Sequence, residues 1–356
     1  MIKHVMLFWF KSGTEQSDKD QVLNGITNFV EIPAVQQVAL EENTTFPDSS
    51  APFTHTAILT FLDEEGRDAF FVDDRHRSLR EWALKFFGDL KTMSVRDDAE
   101  LERLAAILRT AEDQRQPVRP LTEQLPGFSV KDAYRVQQLN VIRKVRAGGV
   151  VVGQKVGLTA VVMQQQLGVD EPDYGVLFAD MMVADGEPMP ISAMIQPRVE
   201  AEVAFIMKHD LRGPGVTDDD ALAAVEGAIP VIEVIDSRIS DWKIKLPDTV
   251  ADNASCARVV RGSRVTPVDA LDLAGIELSL SVDGVVVSTG VGAAVLGNPI
   301  RGVVWLANKL GELGGSLKAG DLVLAGALHA SLPVTAGAVV RAEFTEIGTV
   351  TAAFSD

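Results

Sequence analysis

The segment Ile229–Asp236, IPVIEVID, constrains this chain more than any other. It is a nearly continuous apolar run, the pattern of a strand buried on both faces, yet Glu233 sits in its middle. An unpaired carboxylate there would cost on the order of several kcal/mol, so the strand needs a cation beside it. A second strand-like run, QPRVEAEVAFIM, carries Glu200 and Glu202 two residues apart. In a strand, residues i and i+2 face the same side, so both carboxylates converge. Three carboxylates close together cannot all ionise without a positive charge between them. An oxygen-only donor set suits one hard divalent ion, Mg²⁺ or Mn²⁺. The competing reading pairs Glu200 with Arg198 and Glu233 with Arg238 as structural ion pairs. Spacing alone does not separate the two.

A length of 356 residues suggests two domains. No stretch of about 18 or more apolar residues is present to span a bilayer. The start, MIKHVMLFWFKSGTEQ, turns polar too early for a secretory signal and reads as a first strand. The single cysteine, Cys256, excludes an internal disulfide and fits a reducing cytoplasm, the expected location. A net charge of -17 argues against nucleic acid as a partner.

Up to about Arg96 the pattern is a strand (HVMLFWF), a polar helix over Ser17–Val30, a strand (AVQQVALEE), a turn-rich loop (NTTFPDSSAP) and a strand (THTAILTFL). A helix over Asp73–Phe87 and a short strand near Thr92–Val95 complete this part. Asp97–Arg115 reads as an amphipathic helix with Leu101, Leu104, Ala105, Leu108 and Ala111 on one face. QPVRPLTEQLPG is a connector, and Ser129 caps a helix that runs to Arg146. Glycine-punctuated strands then dominate, with helices near Asp218–Ala228 and Ile300–Leu313. The expected domains are 1–96 and 97–356, in an α+β chain.

Other polar residues are bland one by one. Lys155 ends an apolar run between glycines, Asp173 lies in a proline-containing loop, and Asp252, Asn253 and Ser255 form a small polar cluster. Together, and in order, GQKVGLT, QQQLGVDEPDYGVLFADM, QPRVEAEVAF, PVIEVIDSRISDWK, DTVADNASC, GAAVLGNP, WLANKL and LKAGDLVLAGAL carry a resemblance. From about residue 100 onwards the chain resembles the 2-keto-4-pentenoate hydratases and 4-oxalocrotonate decarboxylases of the fumarylacetoacetate hydrolase superfamily. The resemblance implies a fumarylacetoacetase-like mixed β-roll with flanking helices, and a metal on Glu200, Glu202 and Glu233. It implies that Lys155, Asp173 and Ser255 act around the substrate, with Gly326, Ala327 and Leu328 in a substrate-binding loop. The implied reaction adds water to a 2-hydroxyalka-2,4-dienoate, a step in the catabolism of aromatic compounds. Decarboxylation of a 4-oxalocrotonate-type substrate is the alternative, and an inactive member that binds only metal or a partner is a third reading. A homo-oligomer is expected, with a decarboxylase or aldolase of the same pathway as a candidate partner.

Residues 1–96 resemble the stress-responsive dimeric α/β-barrel (Dabb) domain, through HVMLFWFKSGT, EIPAVQQVALEEN, FTHTAILTFLDEEGRDAFFVDDRHRSLREW and MSV. That implies a ferredoxin-like βαββαβ order and pairing of sheets into dimers. His4, His55 and His76 read either as pocket-lining groups or as satisfied structural histidines, with structure favoured, and no convincing metal spacing links them.

Overall fold

The alternating run IKHVMLFWF forms strand β1, Ile2–Phe10, in the computed structural model, which describes residues 1–43, 53–160, 164 and 171–356. The chain divides into two units, Met1–Glu100 and Leu101–Asp356. In the first, β1 is followed by helix α1 (Gln16–Thr27), strands β2 (Val35–Glu42) and β3 (His55–Phe61), helices α2 (Glu64–Val72) and α3 (Asp74–Ala83), and strand β4 (Phe87–Arg96). The antiparallel order β2-β3-β1-β4 is the ferredoxin-like arrangement. Ile2, Phe8, Leu59 and Phe61 bury one sheet face against Val22, Ile26 and Phe70 of the helices.

The expected helix over Asp73–Phe87 stops at Ala83, and the short strand near Thr92–Val95 is the end of a longer one that starts at Phe87. Tertiary packing overrides the helical spacing. The Phe87 ring lies against Phe8, with centroids 4.8 Å apart, and a Cβ on Gly88 would come within 2.0 Å of the Trp9 indole nitrogen. Helix α2, capped by the Asp63 side chain on the Gly66 N–H, is not visible in the periodicity. Of the NTTFPDSSAP loop, residues 44–52 lie outside the described residues.

Helix α4 (Ala99–Gln114), most of it in the second unit, buries Leu101, Leu104, Ala105, Leu108 and Ala111, the face that its spacing predicts. The connector after it holds one helical turn, α5 (Leu121–Gln124), and α6 (Val130–Arg146) starts in a capping box of Ser129 and Asp132. The main sheet is mixed. It contains β5 (Val151–Gly157), β6 (Asp173–Phe178), β7 (Met182–Val183), β9 (Arg198–Met207), β10 (Val225–Ile235), β11 (Cys256–Arg261) and β14 (Leu322–Ala327), in the order β6-β5-β14-β9-β10-β11-β7. A short strand, β15 (Leu332–Pro333), also pairs with β9. A second sheet of five strands runs β13-β12-β16-β17-β8, from β8 (Pro188–Pro190), β12 (Glu277–Val282), β13 (Val285–Val291), β16 (Val339–Phe344) and β17 (Gly348–Ser355). Helices flank the sheets as expected. That at Asp218 ends at Ala224 rather than Ala228, because Val225–Ala228 already belong to β10. There, Ala228 exchanges backbone hydrogen bonds with Thr266, and a Cβ on Gly227 would meet the Thr266 carbonyl at 2.6 Å.

Candidate active site

Strands β9 and β10 run antiparallel with Glu200 directly opposite Glu233 and Glu202 opposite Val231. Cross-strand partners share a face, and so do residues two apart. All three glutamates therefore project to one side, and one carboxylate oxygen from each lies within 4.8 Å of the other two. Glu233 is 0 % exposed and Glu202 1 %, while Glu200 is half-buried. Both Glu233 oxygens and Oδ1 of Asp173 are buried without a hydrogen-bond partner. This leftover acceptor capacity, in an all-oxygen set, fits a hard divalent ion.

Lys155 reaches the trio from β5. The register aligns Lys155 with Leu324 and Leu324 with Ala204, two residues from Glu202 on the same face. Its Nζ lies 3.4 Å from Glu233 Oε2 and is almost fully buried. Asp173, opposite Gly157 on β6, accepts from the Thr249 hydroxyl at 3.3 Å. A Cβ on Gly157 would stand 2.2 Å from Asp173 Oδ1 and 3.3 Å from Lys155 Nζ. The glycine thus leaves the space in which the carboxylate and the ammonium approach each other.

Charge in this site is unbalanced. Burial pushes the Glu200 carboxyl up to about 7, with Glu233 and Asp173 adding to the rise against Lys155. Burial, then Glu233 and Glu200, raise Glu202 well above the ordinary carboxylate range. Asp173 is raised by burial despite the pull of Lys155. Burial works against the Lys155 ammonium, but Glu233, Asp173, Glu200 and Glu202 outweigh it and hold its pKa above the usual lysine value. One buried cation among four carboxylates leaves room for another positive charge.

Neither arginine of the ion-pair reading hydrogen-bonds to the trio. Arg198 donates to the hydroxyl and carbonyl of Ser331, both at 2.8 Å, and lies over the Trp242 ring. Arg238 donates to Asp252 Oδ1 at 2.5 Å and to the carbonyls of Asp236, Cys256 and Asp252. Asp252 thus belongs to a structural ion pair. Asn253 closes two hydrogen bonds with the backbone of Val176, and Asn253, Ala254 and Ser255 all adopt positive φ. Ser255 is buried with its hydroxyl 3.5 Å from Asp252 Oδ2, on the turn that leads into β11.

The loop after β14 also closes on the glutamates. The Gly326 N–H donates to Glu202 Oε2 at 2.8 Å, Ala327 pairs with Glu202, and the Leu328 N–H donates to the Ala201 carbonyl. Gly326 has φ +120°, and a Cβ there would strike the Thr159 hydroxyl at 2.2 Å, so only glycine fits. Thr249 and Cys256 carried no signal in the sequence beyond their place within the segment DTVADNASC. Burial and the adjacent Glu233 keep the Cys256 thiol protonated, far above its usual range. Of the segment QQQLGVDEPDYG, residues 165–170 lie outside the described residues.

Residues 146–355 match the model of the fumarylacetoacetate (FAA) hydrolase C-terminal family, and residues 2–98 that of the stress responsive A/B barrel domain. The chain is 45% identical over 260 residues to a 2-keto-4-pentenoate hydratase of Burkholderia vietnamiensis, covering 73% of this chain and 99% of the relative. The chain belongs to the 2-keto-4-pentenoate hydratase family. Membership makes it an enzyme of the hydro-lyase type. A 2-hydroxypent-2,4-dienoate hydratase of Pseudomonas putida is 48% identical over 219 residues, covering 61% of this chain and 99% of the relative. Within the same superfamily, the structure resembles 4-oxalocrotonate decarboxylase from Pseudomonas putida G7 complexed with magnesium and adipate. That match has a TM-score of 0.71 at 36% identity over 73% of this chain and 99% of the other. No helix among the described residues is long and apolar enough to cross a membrane.

Proposed function

We propose that this chain hydrates a 2-hydroxyalka-2,4-dienoate to a 4-hydroxy-2-oxo acid in the meta-cleavage breakdown of aromatic compounds, using Mg²⁺ or Mn²⁺. The observation that carries the reading is the convergent trio of Glu200, Glu202 and Glu233, with the Lys155 ammonium 3.4 Å from Glu233, in a hydratase-family chain. The three glutamates would hold the ion, which when bound supplies Lewis-acid polarisation of the substrate's 2-oxygen. The remaining chemistry is proton movement. Taking 2-hydroxypenta-2,4-dienoate as the model, the 2-hydroxyl loses its proton and C5 gains one. Water then adds at C4 of the resulting unsaturated 2-oxo acid, and a proton goes to C3.

Asp173 and Lys155 are assigned to these transfers. The raised pKa of Asp173 lets it hold a proton that an ordinary aspartate would have lost, so it can donate to carbon and recover a proton from water. Lys155 stays charged among the carboxylates and steadies the negative charge that Asp173 takes on when it gives its proton up. Ser255 is assigned to orienting the substrate, and Gly326, Ala327 and Leu328 to the wall beside it. The N-terminal unit is assigned to self-association. Val5 and Met93 face each other across β1 and β4, Met93 and Val95 are exposed, and this sheet face is the one left open by the helices.

With Mg²⁺ or Mn²⁺ the purified protein should bleach the dienoate chromophore and release 4-hydroxy-2-oxopentanoate. Release of CO₂ from 2-oxohex-3-enedioate, with no turnover of the dienoate, would move the assignment to decarboxylation. Metal binding without turnover of either compound would leave a binding protein.

A further inference from the structure

The ladder along β9 has a gap at its metal-binding residues. On one side β10 pairs with β9 throughout, from Arg198 to Met207. On the other, β14 pairs as far as Ala327 opposite Glu202, and β15 resumes with Leu332 opposite Val199. Between them stands Ala201, fully buried, with Glu200 before it and Glu202 after it. In an antiparallel ladder both backbone groups of a residue point to the same neighbour. Here the Ala201 carbonyl accepts from the Leu328 N–H at 3.1 Å, but the Ala201 N–H finds no strand carbonyl. It donates instead to Nε2 of His329 at 2.9 Å. The other ring nitrogen, Nδ1, lies 2.7 Å from the Ala330 carbonyl, which can only accept. The two contacts together fix the neutral ring with its proton on Nδ1, leaving Nε2 as an acceptor.

We propose that His329 is a positioning residue for Glu200 and Glu202: its imidazole takes the place of the missing strand carbonyl and holds the N–H of Ala201, the residue that joins the two metal ligands. The inference rests on the trio being a metal site. The donors of Glu200 and Glu202 meet only while the strand between them keeps its pleat, and the peptide of Ala201 is the midpoint of that strand. Leu328 fixes one backbone group of Ala201, its carbonyl, through a backbone bond that any residue could make. His329 fixes the other through its side chain, so identity matters there. Groups that orient metal ligands from outside the coordination sphere typically contribute about 10–100-fold to metal affinity.

The test measures Mn²⁺ affinity by calorimetry, with the free-ion signal in electron paramagnetic resonance as a second readout, on the full chain and on three variants. His329→Leu keeps the bulk and removes the acceptor. His329→Gln places an amide oxygen near the position of Nε2. Glu233→Gln removes a ligand and is the reference for loss of the site. The expected result is Mn²⁺ binding weakened about 10–100-fold in H329L and largely recovered in H329Q, with the E233Q signal lost. Mn²⁺ affinity in H329L equal to that of the parent, whether or not its melting temperature falls, overturns the proposal. Should H329L fail to fold, H329N serves in its place, because its side chain is too short to reach Ala201, and unchanged affinity there overturns the proposal equally. If the parent chain binds no Mn²⁺ at all, the metal reading itself has failed, an outcome distinct from H329L matching a parent that binds.

Discussion

Two knots of buried charge lie within a few residues of each other, and they differ in what they leave over. Around Arg238 nearly every polar atom is used: the guanidinium meets Asp252 and three carbonyls, and the Asp252 carboxylate also takes the Arg238 N–H. Asp236 accepts from two backbone N–H groups, at Ile195 and Gln196, and Asp248 from Thr122 and Lys245. Around Glu233 the reverse holds, with three like charges converging, both Glu233 oxygens without a hydrogen bond, and one lysine in reach. Burial of charge therefore does not single out the candidate site, since both knots are buried. Unspent acceptor capacity does.

The largest effect separating the two knots is expected from Glu202→Gln. It should abolish Mn²⁺ binding and, with it, turnover, while leaving the metal-free chain as stable as the parent or more so. An amide oxygen can still accept from Gly326, and the repulsion from Glu200 and Glu233 is removed. Calorimetric Mn²⁺ titration and thermal melting of the metal-free protein read both signs, and a large drop in melting temperature would erase the distinction drawn here. Asp173→Asn should lower kcat by about 10²–10⁴-fold, the usual contribution of a positioned acid or base, with Mn²⁺ affinity retained. Loss of metal binding in that variant would make Asp173 part of the ion's support instead. Arg238→Met should do the opposite of Glu202→Gln. Leaving Asp252 uncompensated, it should destabilise the chain by about 3–5 kcal/mol in denaturant melts without removing a metal ligand.

Burial raises carboxyls in both knots, Asp252 to about 6 and Glu200 to about 7, and metal should reverse the effect only at the trio. In the metal-free folded chain the Glu200 carboxyl sits at about 7 against an ordinary 4.5. The folded state then binds more protons than the unfolded state between these values, so stability falls as pH rises from about 4.5 to 7. Divalent metal needs the ionised form, so stabilisation by Mn²⁺ should grow over the same interval. Melting curves at pH 5 and 8, with and without Mn²⁺, should therefore show opposite trends. Parallel trends would mean that the trio does not carry the ion.

How much of this was legible in the sequence depends on whether the signal is local. The period of two put Glu200 and Glu202 on one face of a strand, and the apolar run put Glu233 inside a buried one, because those patterns encode which way a side chain points; that the two strands pair is visible only in the fold. They could not say where Arg198 and Arg238 go, since Ser331 and Asp252 are brought there only by the fold. The β9 gap filled by His329 depends on where two other strands stop, which no window of residues reveals. The same holds for the start of β4, where Phe87 and Gly88 obey Phe8 and Trp9 rather than their own helical spacing.

The smallest effect on chemistry is expected from the most drastic change, removal of residues 1–96. Every group assigned to the site lies between Lys155 and His329, and the hydratase of Burkholderia vietnamiensis is matched over 99% of its own length by 73% of this chain. In the N-terminal unit the histidines are packed: His4 bonds to the Ser94 hydroxyl at 2.9 Å and packs edge-on to Phe71, while His55 stacks on Phe8 and His76 lies against Phe70. Burial lowers the pKa of all three histidines, as for rings that are packed rather than poised for charge. What that unit does expose is the apolar sheet face of Met93 and Val95. The shortened chain should thus keep the turnover number and KM of the full chain and sediment as a smaller assembly. An unchanged assembly size would remove self-association as the role of this unit, and a raised KM at unchanged turnover number would point to substrate retention in its place.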